Sequence, residues 1–83
     1  MQFIENADVV TSTGEKIGRV DRVVIDPQSH EVTHVVVKKG LLLTREKVVS
    51  VEQIDTATEE KVILKKGIDD PDKLPDFEEK HYI

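Results

Sequence analysis

Apolar residues along this chain come in short β-branched clusters: Val23-Val24-Ile25, Val35-Val36-Val37, Val48-Val49 and Val62-Ile63-Leu64, with the leucine run Leu41-Leu42-Leu43 among them. A pleated, half-buried surface selects such residues. The first segment, Phe3 to Val10, runs into Thr11-Ser12-Thr13-Gly14-Glu15, a polar stretch whose glycine suits a hairpin turn, and predicts a first strand ending there. Lys16 to Ile25 carries Arg19, Asp21 and Arg22 between apolar positions, as a strand with one wet face does. Asp26-Pro27-Gln28-Ser29 predicts a type I turn, the aspartate bonding amides ahead of it and the proline presetting φ.

The third strand, Glu31 to Lys39, places Val32, His34 and Val36 on one face and Thr33, Val35 and Val37 on the other. Apolar residues on both faces fit the centre of a barrel or a contact between subunits. Gly40 ends this strand, and Leu41-Leu42-Leu43-Thr44-Arg45 leads into a fourth, Glu46 to Val51. Ile54-Asp55-Thr56-Ala57 reads as the segment leading to a further short strand, Lys61 to Lys65, which Gly67 closes. Five or six strands separated by turn signals predict an all-β fold, an up-and-down barrel or a small sandwich.

After Gly67 the composition shifts, so the chain divides into a β domain over residues 1–67 and an acidic tail over 68–83. Pro71 and Pro75 limit any helix there to about one turn. Leu74, Phe77, Tyr82 and Ile83 are too apolar for a pure spacer, and some of them are expected to pack on the barrel or on a neighbouring chain.

The chain has 83 residues, enough for one core and not two. A domain of this size buries only about 60–65 % of its unfolded surface, so its stability is marginal unless something else contributes. With no cysteine to form a disulfide, and three scattered histidines as a poor metal set, self-association as a homodimer is the expected support. A net charge of −5 repels phosphate backbones and anionic lipid, so nucleic acid is not an expected partner. No apolar run approaches the ~20 residues of a membrane span and no signal-peptide pattern opens the chain, which predicts a cytoplasmic protein.

Candidate chemistry is sparse. Ser12, Ser29 and Ser50 fall in turns and a strand without a nucleophile-elbow motif, and no cysteine is present. His34, alone among valines, reads as a packing or edge residue. Asp69, Asp70, Asp72 and Asp76 lack the glycine-centred spacing and terminal glutamate of a calcium loop and read as a solvated charge run. Gly14 and Gly18 make no phosphate loop; they read as a turn glycine and a strand glycine admitting close backbone approach. No catalytic residue, cofactor or metal is therefore expected.

Leu41, Leu42 and Leu43 cannot all enter one small core, because neighbouring strand residues alternate in direction. They either cap an open barrel end or form a contact patch for a second subunit or partner. With His34 and Val36 on the third strand, and Phe77 and Tyr82 in the tail, they make the candidate interaction set.

The runs Asp8-Val9-Val10, Gly14-Glu15-Lys16-Ile17-Gly18-Arg19-Val20-Asp21, Val23-Val24-Ile25-Asp26-Pro27 and Glu31-Val32-Thr33-His34-Val35-Val36-Val37 resemble the PRC-barrel domain family, as do Lys39-Gly40-Leu41-Leu42-Leu43 and Val48-Val49-Ser50-Val51. The likeness covers roughly residues 3 to 66; Ser50, where relatives often carry proline, is a local departure. The resemblance implies a small, partly open antiparallel barrel that serves as a non-catalytic adaptor docking on other proteins. The alternative it implies is an RNA-protein adaptor of the ribosome-assembly kind. Lys38, Lys39, Arg45, Lys47, Lys61, Lys65 and Lys66 are the support for that alternative, provided they form one basic stripe.

Overall fold

The computed structural model describes residues 2–40 and 45–81. β1 (Asp8–Val10), β2 (Lys16–Ile25), β3 (Val32–Lys39), β4 (Arg45–Ser50), β5 (Ile54–Ala57) and β6 (Lys61–Leu64) form one open sheet in the order β4-β3-β2-β1-β6-β5. Three short 3-10 turns, Val51–Gln53, Pro71–Lys73 and Glu79–His81, are the only helical elements among the described residues. The expected all-β, partly open architecture is the one observed. Antiparallel pairing holds in every ladder but one: β1 runs parallel to β6, Asp8 facing Lys61 and Val10 facing Ile63. No described helix is long and apolar enough to cross a membrane.

β2 spans ten residues and is the backbone of the sheet, pairing with β1 through its first half and with β3 along most of its length. Gly18 makes the close β2–β3 packing possible. A Cβ there would lie 2.7 Å from the Lys38 carbonyl oxygen and 2.7 Å from a Val37 methyl, closer than packed atoms tolerate. Register shifts around Asp21 and between Val24 and Ile25 add bends that curl the sheet. On the concave side the curl gathers Val9, Val20, Val35, Val37, Val49, Ile54, Val62 and Leu64 into the core.

Two strand expectations needed correction. The first strand is shorter than Phe3 to Val10, because the chain turns at Asn6 (φ 71°), whose amide donates to the Val20 carbonyl, and Phe3 packs on the core from outside the sheet. The Ile54–Ala57 segment is itself a strand, with Ile54 opposite Leu64 and Ala57 opposite Val62. A register shift between Ile54 and Thr56 puts two exposed residues between its two buried ones, which breaks the period-two pattern that marks a strand.

At the Asp26 turn the aspartate bonds the amides ahead of it as expected, the Gln28 amide donating to Asp26 Oδ1 at 2.8 Å, but the main chain closes one residue later than the type I turn expected there, with the His30 amide donating to the Asp26 carbonyl and His30 at φ 62°. Residues 68–77 fold back onto the sheet. Asp70 caps the Pro71–Lys73 turn by accepting from the Asp72 amide at 3.0 Å, and Leu74, only 7 % exposed, joins the core.

Candidate interaction surface

The convex face of β2, β3 and β4 carries the residues whose register opposes the core. In successive rows, Arg19 faces Lys38 and Lys38 faces Glu46; Arg22 faces Val36 and Val36 faces Val48; Val24 faces His34 and His34 faces Ser50. Val36 and Val48 are 0 % and 3 % exposed, yet neither belongs to the main core cluster. Charged side chains cross this face. Arg22 on β2 reaches Glu46 on β4 at 3.3 Å, and since β3 lies between those strands the guanidinium passes over it. The aliphatic stem of an arginine spread this way shields apolar atoms while its head stays wet.

Around that bridge, Asp21 lies 3.5 Å from Arg22 and 3.8 Å from Lys38, so cations and carboxylates alternate. The Asp21 carboxylate, hydrogen-bonded to Glu46, pushes the Glu46 carboxyl above its ordinary value, and partial burial adds to the push while Arg22 opposes it.

The tail completes this surface by wrapping the free edge of β4. From Leu74 in the core the chain crosses the edge: the Val48 amide donates to the Pro75 carbonyl at 2.8 Å and the Phe77 amide donates to the Glu46 carbonyl at 2.9 Å. Between these bonds Asp76 sits opposite Lys47 as an antiparallel bridge partner, its carboxylate 2.6 Å from Lys47 Nζ. That ammonium holds the Asp76 carboxyl below the usual aspartate range. Phe77 then lies on the convex side with the Arg22 guanidinium 4.5 Å from its ring centroid, a cation–π contact. Residues 74–77 thus form a clasp with an apolar anchor inside the sheet, main-chain pairing at its edge and an aromatic anchor outside.

The sequence-derived interaction residues are distributed unevenly over this geometry. Phe77 is in the clasp, and His34 is half-buried on the same convex face with its Nδ1 2.9 Å from Thr33 Oγ1. Val36 lies beneath the Arg22–Glu46 bridge and offers no surface of its own in the single chain. Leu41, Leu42, Leu43 and Tyr82 lie outside the described residues.

Arg22 and Glu46 were not singled out as site residues from the sequence, and Lys47 and Asp76 entered only as members of a basic set and of a solvated acidic run, because charged residues in a chain this rich in charge do not show their partners until register brings them together. The cations do not make one stripe. Lys38, Lys39, Arg45 and Lys47 share the Gly40 end of β3 and β4, where Asp21 and Asp76 engage Lys38 and Lys47, while Lys61 lies on β6 and Lys65 and Lys66 follow it. Among the described residues no group of three or more histidine, aspartate or glutamate side chains is placed to hold a metal ion.

The search of curated proteins found no match to this chain. The PRC-barrel domain family model matches residues 4–71, which takes in every strand of the open sheet and stops just before the clasp. The chain belongs to the PRC-barrel domain family.

Proposed function

We propose that this protein is a non-catalytic interaction module that binds other proteins and associates with itself, using the convex face of β2–β4, the Leu41–Leu43 connection and the tail. Membership in a family of protein-interaction modules is the observation that carries this reading. Ile25, 51 % exposed at the end of β2, and half-buried His34 and Val24 on the adjoining rows provide apolar surface of the kind interfaces use. A homodimer through this face would also give an 83-residue domain the added burial its small core lacks.

Light scattering across a concentration series up to high micromolar tests the reading. A dimer is expected, shifted toward monomer by His34→Asp and by Leu42→Asp. A wild-type chain that stays monomeric throughout removes self-association. Retention of the dimer in both variants moves the contact off this face.

A further inference from the structure

We propose that the Leu74–Phe77 clasp is exchanged between two copies of this chain, each tail seating on the β4 edge of the other; the proposal rests on the self-association put forward above and names its occupant. The site and its ligand are both visible in the single chain. The β4 edge accepts one extended peptide through a core pocket for Leu74, two main-chain bonds at Pro75 and Phe77, the Lys47–Asp76 ion pair and the Arg22 face for Phe77. A second copy carries the same peptide, so an exchanged dimer keeps these clasp contacts and gives up the freedom of two separate molecules, together with the Ile68 packing and the Pro71–Lys73 turn of the connection.

The connection between β6 and the clasp is built to open. Lys65, Lys66 and Gly67 are exposed, and their turn is closed by a single main-chain bond of 3.2 Å from the Ile68 amide to the Lys65 carbonyl. The turn depends on Gly67 at φ +95°, with nothing within 4 Å of where a side chain would begin. Straightened, residues 66–73 reach roughly 26 Å. That is comparable with the 34 × 27 × 21 Å extents of the molecule, so a tail released at this turn can reach the β4 edge of an adjoining copy. The family match ends at residue 71, before the clasp begins. Exchange therefore leaves all six strands in place and moves only the segment that follows β6.

The natural chain has no cysteine, so cross-linking reports the exchange without background. Lys47 and Asp76 are bridge partners across the clasp, a separation that a disulfide can span. Chains carrying Lys47→Cys are co-incubated with chains carrying Asp76→Cys, oxidised and run on a non-reducing gel, with Lys61→Cys chains replacing the Lys47→Cys partner to measure random collision. A covalent mixed dimer several-fold above that control is expected, together with a dimer in light scattering. A dimer in light scattering without the mixed band overturns tail exchange and leaves self-association standing; a monomer without the band overturns both. The double variant Lys47→Cys/Asp76→Cys, oxidised when dilute so that each tail is locked on its own chain, retains the clasp and checks folding. Its dimer is expected to be several-fold weaker than that of the wild type, the convex-face contact alone remaining, and a dimer as tight as the wild type's also overturns exchange.

Discussion

An open sheet has two edges, and this protein protects them by opposite means. At one end β5 is four residues long, interrupted by a register shift, and exposes Asp55 and Thr56, while the Gln2 amide reaches the Ala57 carbonyl at 3.4 Å. Brevity, a bulge and a charge make a poor template for another strand. At the other end β4 is six residues long, nearly straight in register with β3, and carries Val48 and Val49. Such an edge invites pairing, and it is occupied rather than blunted. The clasp takes the Val48 amide and the Glu46 carbonyl, and Gln53 Oε1 accepts from the Ser50 amide at 3.0 Å. One edge refuses partners, whereas the other already holds one, and the family match covers the first and stops short of the second's cover.

The largest effect that separates the two ends comes from their apolar anchors. Leu74→Ala and Ile54→Ala each delete a buried side chain and are expected to cost about 2–4 kcal/mol in urea unfolding. They differ in what they release: Leu74→Ala should also speed hydrogen exchange at the Val48 and Phe77 amides under native conditions, and Ile54→Ala should not. A Leu74→Ala cost below about 1 kcal/mol would mean that the tail merely rests on the sheet.

At the β5 end, Asp55→Val removes the charge that discourages pairing. Light scattering should then show species larger than the wild-type assembly at high concentration, with little change in the unfolding midpoint. Unchanged assembly would show that shortness alone protects this edge.

The smallest effect is electrostatic and has opposite signs on the two sides of β4. The raised Glu46 carboxyl favours its protonated form in the fold. Its charge at neutral pH is therefore a cost, relieved as pH falls through a folded value above the ordinary 4.5. The lowered Asp76 carboxyl works the other way. Its pairing with Lys47 contributes fully above the ordinary 3.8 and is lost as pH falls through the lower folded value. Titration followed by NMR of the side-chain carboxyls should show Glu46 protonating first and Asp76 at the more acid step. Lys47→Ala should raise Asp76 toward its ordinary value, Arg45 still opposing the rise, without moving Glu46. Coincident titration of the two carboxyls in the wild type would remove the distinction.

Much of this molecule is legible in one dimension. The β-branched clusters and the punctuation at Gly14, Asp26-Pro27 and Gly40 locate β2, β3, β4 and β6, because alternation and turn chemistry are local properties of the chain. Leu74 and Phe77 stand out in an acidic tail as residues with something to cover. Gly18 reads as a point of close approach, and the Cβ clash confirms why it must be glycine.

What tertiary structure alone decided is which distant residues meet. β5 hides behind its bulge, and the parallel β1–β6 pairing joins segments some fifty residues apart whose local patterns say nothing of direction. The bridge across β3 joins an arginine on one neighbouring strand to a glutamate on the other, and the clasp brings Lys47 and Asp76 to 2.6 Å across 29 positions. Hydrophobic periodicity records which face a residue presents, but ion pairs and edge contacts are relations between strands, and they exist only once the sheet has set its order and register.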